Sequence, residues 1–187
     1  MKKIKLTFVE ENVSCIAELR EDKAPQTAQL IWDILETPME NKAIHAMYTG
    51  RELSFGVPTD RADEARVFAL PPENVTMFPL PGALIWNAYQ PYQWMGTPHA
   101  VYDFGIFYGP EARILLPTGW RPSNHFGDIV ENLDEFAAVC ARCQSEGVPA
   151  GGGGRRKGVG SRRNRAHGMS LLLRSCGIPL YGGGGRL

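Results

Sequence analysis

Three histidines in the first 150 residues could take part in chemistry: His45, His99 and His125. A neutral imidazole can bind a metal ion, exchange hydrogen bonds with a ligand, or move a proton near neutral pH. Metal-binding motifs place several ligands a few residues apart, and no such spacing joins these three. The sequence therefore predicts no metal and no other cofactor, and it leaves single histidines that contact a ligand or satisfy a backbone group.

Tyr48, Arg51 and Glu52 border a turn that follows His45. A guanidinium can hold a carboxylate through two parallel hydrogen bonds, so Arg51 could bind an acidic ligand. A solvated turn with a local Arg51–Glu52 ion pair explains the same residues equally well. Both interpretations stay open at this point.

A cluster of aromatic residues follows in a strand and a polar loop. Its members are Trp86, Tyr89, Tyr92 and Trp94. Aromatic residues crowded into a polar loop are typical of a pocket wall or of a contact between subunits. Ordinary loop packing is the alternative.

No sequence motif identifies a catalytic nucleophile or a phosphate-binding loop. Asp103 and Asp128 could form an acid–base pair, but nothing in the sequence places them together, so the catalytic residues stay unknown. Cys140 and Cys143 form a CxxC without the second pair that a zinc site needs. Because they fall late in a predicted helix, they are interpreted as packing residues.

The formal net charge of zero conceals two different compositions. Residues 151–187 contain eight basic residues, no acidic residue and 12 of the 21 glycines. Residues 1–150 therefore carry a net charge of −8. Glycine-rich sequence loses much backbone entropy on folding, so we expect residues 151–187 to be a mostly disordered tail and residues 1–150 to be the folded domain. Truncation at Ala150 should then leave a folded acidic protein.

The tail could be a basic arm for a polyanion, through Arg155–Lys157 and Arg162–Arg165. RNA-binding arginine–glycine segments interleave aromatic residues, whereas the one aromatic residue here is Tyr181, far from the arginines. The acidic domain also disfavours nucleic acid as a partner. We therefore favour a solvated tail.

Periodic patterns predict the elements of the domain. Residues 3–9 and 13–19 alternate as in a β-hairpin, and a helix with apolar residues at helical spacing begins near Pro25. Short strands follow, one of them over residues 66–70, and a second helix follows Asn132. No segment reaches the roughly 18 apolar residues of a membrane span, and no secretory signal is recognisable, so we expect a cytoplasmic protein with no membrane partner.

Two segments at opposite ends of the domain resemble cyclophilins. Residues 18–28 are similar to the cyclophilin segment that leads into its first helix, E-L-x-x-D-x-x-P-x-T. Residues 125–134 are similar to its closing strand and second helix, V-F-G-x-V-x-x-G-x-D. The resemblance implies a mainly-β, cyclophilin-like closed barrel of about eight strands with two capping helices.

The sequence resembles more specifically the cyclophilin-like bacterial domain family DUF3830, over residues 3–147. The matching pieces include the helix with Trp32, the segment from His45 to Leu53, the turn at residues 78–82, and residues 107–109. This family implies no established reaction. Where cyclophilins have the arginine of their F-H-R motif, this chain has Ala46, and a methyl group cannot polarise a prolyl amide. We therefore expect no proline isomerase activity.

The resemblance places six side chains near the mouth of the barrel. They are His45, Tyr48, Arg51, Trp86, Tyr108 and His125. We predict that they bind a small molecule there. The alternatives are an enzyme, either a residual prolyl isomerase or an accessory hydrolase, and a homo-oligomerising interaction module that uses the loop at residues 87–98.

Overall fold

The structure, a computed structural model, describes residues 1–146 and 169–176. The strands in these ranges are β1 (Lys3–Phe8), β2 (Val13–Leu19), β3 (Met39–His45), β4 (Glu52–Val57), β5 (Val75–Thr76), β6 (Ala83–Tyr89), β7 (Val101–Phe107), β8 (Leu115–Leu116), β9 (Gly119–Trp120), β10 (Ser123–Glu131) and β11 (Met169–Cys176). The helices are α1 (Pro25–Ile34), α2 (Glu64–Phe68) and α3 (Leu133–Glu146), with a short 3₁₀ turn at Thr59–Arg61.

Eight strands close into an antiparallel barrel in the order β2, β1, β11, β3, β4, β7, β6, β10. Pairing between β10 and β2 joins the two ends of this order. Strand β5 adds two residues beside β10, and β8 and β9 form a separate ribbon. The predicted mainly-β closed barrel of about eight strands is confirmed.

The opening hairpin forms as the alternation predicts. Ile4, Leu6 and Phe8 are fully buried on one face of β1, because side chains that are two residues apart point to the same side of a strand. The pairing of β1 with β2 brings Lys3 opposite Glu18, and their side chains form an ion pair at 3.1 Å.

Strand β11 corrects the predicted tail. It lies between β1 and β3 in the barrel, and its Leu171 and Leu173 are fully buried. The prediction of disorder is therefore wrong for residues 169–176, because a strand needs no core of its own when two neighbouring strands supply its hydrogen bonds and its packing. The predicted basic arm at residues 155–165 lies outside the described residues.

Helices α1 and α3 pack on the core of the barrel. Helix α1 begins at Pro25, as predicted, and buries Ala28 and Ile31. On α3, the ring of Phe136 stacks on Phe8 at 4.6 Å, and Cys140 is fully buried. The CxxC thus lies on a helix, with its first thiol in the core. Among the described helices, none is both long and apolar enough to cross a bilayer.

Helix α2 replaces the strand predicted over residues 66–70, so the described chain has three α-helices where two were expected. The Asp63 carboxylate accepts hydrogen bonds from the backbone N–H groups of Ala65 and Arg66 at the start of α2. Such a cap satisfies donors that a short helix leaves unpaired. Val67 then faces the core, which explains why an apolar run of this length also fitted a strand.

A distant carboxylate caps α1. The side chain of Glu73, which is mostly buried, accepts hydrogen bonds from the backbone N–H groups of Gln26 (3.1 Å) and Thr27 (2.8 Å) and from the Thr27 hydroxyl (2.8 Å). We expect Glu73→Ala to lower the free energy of unfolding by about 1–3 kcal/mol, because buried donors lose their partner. Urea unfolding measures this change. The exposed Glu36→Ala is the control, and equal midpoints for the two variants would contradict the capping role.

Candidate active or binding site on the outer wall of the barrel

Strands β4, β7 and β6 lie side by side and present two different faces. On β4, Leu53 and Phe55 are buried in the barrel core, so Glu52 and Ser54, which alternate with them, point outward. On β7, the same alternation points Asp103 outward. An outward position on a barrel strand normally faces water, but here Glu52 is buried and Ser54 and Asp103 are partly buried.

Two chain segments, 90–98 and 109–121, cover this outward face. Ile114 belongs to a second, smaller cluster of buried apolar residues on this side of the wall. From the other segment, the ring of Trp94 lies 4.9 Å from that of Tyr89. A cavity of about 140 Å³ remains between the cover and the strands. This cavity lies against the outer wall of the barrel, whereas the sequence predicts a pocket at the barrel mouth.

Polar side chains are concentrated on one side of this cavity. They include His45, Thr49, Glu52, Ser54, Asn87 and Asp103. The register of the sheet aligns three of the lining positions, since Asp103 lies opposite Gly56 on β4 and opposite Asn87 on β6. The polar side of the cavity is therefore built on rigid strands.

The Glu52 carboxyl group is almost completely buried, with a residue exposure of 4%. Its Oε2 accepts a hydrogen bond from the Thr49 hydroxyl, and its Oε1 lies over the backbone of Gly105. A Cβ atom at position 105 would overlap with Oε1, so this glycine makes room for the carboxyl group. Burial, with a smaller contribution from the nearby charge of Asp103, raises the pKa of Glu52 to about 8.

The second carboxyl group belongs to Asp103. It accepts a hydrogen bond from the Ser54 hydroxyl at 2.5 Å and another from the Asn87 amide. Burial raises the pKa of Asp103 to about 6, although both hydrogen bonds and the charge of Arg121 act in the opposite direction. Two carboxyl groups that change protonation close to neutral pH therefore face one cavity.

Arg121 supports the wall behind Asp103. Its guanidinium donates hydrogen bonds to the Asn87 side-chain oxygen (3.3 Å) and to the carbonyl oxygen of Ala88 (2.7 Å). It also lies over the ring of Tyr89, 4.3 Å from the ring centre. Burial raises the pKa of the Tyr89 hydroxyl, so this residue is neutral at physiological pH. These contacts fix Asn87 and Tyr89 in position.

His45 lies at the end of β3, and both of its ring nitrogens are engaged. Nδ1 is 2.9 Å from the carbonyl oxygen of Ala46, and Nε2 is 2.8 Å from the hydroxyl of Tyr108. Since a carbonyl oxygen can only accept, Nδ1 donates to it and Nε2 accepts from Tyr108. Burial lowers the pKa of His45, which favours this neutral form. Ligand contact through either nitrogen would have to replace one of these bonds.

The six side chains predicted to bind a ligand do not all line the same cavity. His45 and Tyr48 line the cavity on the outer wall, and Tyr108 is connected to this cavity through its hydrogen bond with His45. Arg51 is exposed and does not line it. Within the described part of the chain, Arg51 forms no ion pair with Glu52, because the Glu52 carboxyl group is buried between the outer wall of the barrel and the two covering segments.

Trp86 and His125 lie elsewhere. Trp86 points into the barrel, with its ring 5.9 Å from that of Tyr102. His125 Nε2 is 2.9 Å from a carboxylate oxygen of Asp128, whose other oxygen accepts a hydrogen bond from Arg20. Asp128 is thus paired there, apart from the cavity. Among the described residues, no three His, Cys, Asp or Glu side chains are grouped so as to hold a metal ion.

Sequence reasoning missed the pairing of Glu52 with Asp103. It treated Glu52 as a turn residue and weighed Asp103 only with Asp128. The sequence signal that could have found them is the alternation of residue types. Glu52 on β4 and Asp103 on β7 each lie on the polar face of a strand whose other face is apolar. A polar face normally indicates exposure to water, and no motif in segments 90–98 and 109–121 predicts that they cover this face.

Comparisons with known proteins agree with this fold. A family model described as "Protein of unknown function (DUF3830)" matches residues 6–150. Among solved structures, the chain is similar to McbB in complex with tryptophan, with a TM-score of 0.59 and 17% sequence identity over 91% of this chain. This chain spans only 44% of that protein chain, and at such low identity the likeness concerns the fold alone. No curated protein matches. Because the family model covers most of the sequence, the chain belongs to the DUF3830 family.

Proposed function

We propose that this protein binds a small molecule in the cavity on the outer wall of the barrel, against Glu52 and Asp103. The observation that carries the proposal is the buried carboxyl group of Glu52 and the partly buried carboxyl group of Asp103, which face one cavity. Burying an ionisable group without an opposite charge costs free energy, and in proteins such groups are concentrated at functional sites. A ligand that contacts both groups would offset this cost.

The size and lining of the cavity support the same function. An apolar cavity of about this volume can hold a molecule as large as benzene. Aromatic residues and a few convergent polar groups are the usual lining of a small-molecule site. The similar structure of McbB contains tryptophan, so at least one protein of comparable fold is known with a small aromatic molecule. Since Ala46 carries no guanidinium, we expect binding without proline isomerase activity.

A thermal-shift screen of the full chain tests this function. The library should contain cationic, neutral and anionic molecules of up to about 12 non-hydrogen atoms. A ligand that binds the folded state raises the melting temperature by mass action, and we expect at least one such compound. The blocking variant is Gly56→Leu, because position 56 lines the cavity and a Cβ there meets only the Asn41 amide nitrogen, at 3.8 Å.

Glu40→Leu is the matched control. It places the same side chain at an exposed outward position of β3 that does not line the cavity. We expect the stabilisation by the compound to disappear in Gly56→Leu and to persist in Glu40→Leu. A library without any stabilising compound, or compounds that stabilise Gly56→Leu as much as the unaltered protein, would contradict binding in this cavity.

A further inference from the structure

The charge of the cavity lining is one-sided. Two carboxyl groups face the space, and none of the described residues that line it is lysine or arginine. Arg121 is the cation whose charge reaches Asp103, but its guanidinium is bonded to Asn87 and Ala88 and does not line the cavity. Within the described ranges, no lysine or arginine is therefore available to pair with the carboxyl groups inside the space.

One oxygen of the pair lacks a partner. Glu52 Oε2 accepts from Thr49, whereas the described residues provide no hydrogen bond to Oε1. The Glu52 side chain is buried, but Oε1 is not among the fully enclosed atoms that lack a partner, so it is open to a donor in the cavity. Asp103 differs, because Ser54 and Asn87 already donate to it. A ligand that donates a hydrogen bond to Glu52 Oε1 and places a positive charge near Asp103 would supply the missing donor and the missing opposite charge.

The remaining walls also suit a cation with an apolar body. Trp94 contributes an aromatic ring, and the faces of aromatic rings attract positive charge, whereas the Tyr89 ring already contacts the Arg121 guanidinium. Ile44, Met47 and Tyr48 also line the cavity and are exposed, so an apolar group can extend toward the surface along them. None of these residues could neutralise a ligand carboxylate, which disfavours zwitterions and acids.

We propose that the natural occupant is a small organic cation, a protonated amine without a carboxylate, whose ammonium group lies between Glu52 and Asp103. This inference rests on the proposed function of the cavity. Burial raises the pKa of both Glu52 and Asp103, so the empty pair retains a proton near neutral pH. The ammonium cation favours ionisation of both carboxyl groups, so binding releases the proton of the pair to solvent, and the bound state contains two carboxylates and one cation.

Three matched probes test the charge of the occupant on the full chain: benzylamine, benzyl alcohol and benzoate. Their ring is shared and their polar group is cationic, neutral or anionic. We expect benzylamine to bind about tenfold more tightly than benzyl alcohol at about pH 8, as measured by isothermal titration calorimetry. Affinity for benzylamine should rise several-fold between about pH 6 and pH 8, because fewer protons must then be displaced.

Two variants connect this preference to the carboxyl pair. Glu52→Gln and Asp103→Asn should each weaken benzylamine binding about tenfold and change benzyl alcohol binding little. Absence of benzylamine binding at millimolar concentration overturns the cation proposal, as does tighter binding of benzoate or benzyl alcohol. If neutral or anionic compounds from the screen bind and Gly56→Leu blocks them, the proposed function stands and only the charge assignment fails.

Discussion

Removal of residues 169–187 is expected to abolish the cooperative unfolding transition of this protein. Strand β11 lies between β1 and β3, so its loss opens the barrel and exposes the backbone groups of both neighbours. It also removes Leu171 and Leu173, which are fully buried. Loss of a single buried leucine side chain costs about 2–5 kcal/mol, and an ordinary domain is stable by only about 5–15 kcal/mol.

Circular dichroism during urea unfolding measures this loss. The control chain ends after Cys176, keeps β11 complete and should unfold at the same midpoint as the full chain. Leu173→Ala provides a graded variant that keeps the strand in place, with an expected loss of about 2–4 kcal/mol in the free energy of unfolding. A chain ending at Gly168 that unfolds with the full-length midpoint would contradict the position of β11 and would restore the predicted boundary at Ala150.

The unliganded protein is expected to lose stability as the pH rises from about 5.5 to 8.5. The pKa values of Glu52 and Asp103 are raised from 4.5 and 3.8 to about 8 and about 6. A raised pKa means that the folded state holds a proton that the unfolded chain has released. This contribution is complete below the unfolded pKa and disappears as the pH passes the folded one. Since one pKa unit corresponds to about 1.4 kcal/mol, we expect a loss of about 2–4 kcal/mol.

Glu52→Gln isolates the carboxyl contribution. The amide has nearly the same shape and does not ionise, so the variant should be more stable than the unaltered protein at about pH 8.5 and show a much flatter pH profile. His45, whose pKa is lowered by burial, changes stability with pH in the opposite sense, and this effect cancels because it is the same in both proteins. Parallel pH profiles for the two proteins would show that Glu52 does not bury a proton.

The barrel itself was largely predictable from the sequence. The alternation in β1 and β2 and the proline at the start of α1 are local signals, and the three elements formed as expected. The strand predicted over residues 66–70 failed for a local reason as well. A short apolar run fits both periodicities, and the capping of α2 by Asp63 decides between them.

Strand β11 could not be predicted because its stability comes from distant partners. Its apolar residues are embedded in a segment of glycine and arginine, whose composition indicates disorder. The strand is stable only because β1 and β3 provide two neighbours more than 120 residues away in sequence. The composition of a segment does not show whether two distant strands leave a position between them that the segment can fill as a strand.

The candidate site divides in the same way. His45 was identified through its position in a family pattern, and it does line the cavity. Glu52 and Asp103 lie on different strands, and their proximity depends on the register of β4 with β7. Their burial depends on the segments at 90–98 and 109–121 folding over the outer wall. Neither condition is expressed in a motif.

A crystal structure of the full chain with the most stabilising compound of the screen tests the central claim most directly. We expect electron density for the compound in the cavity on the outer wall, with its polar atoms within hydrogen-bonding distance of Glu52 Oε1 and close to Asp103. Density for the compound in the barrel interior, beside His125, or on the surface, with only water between Glu52 and Asp103, would contradict it.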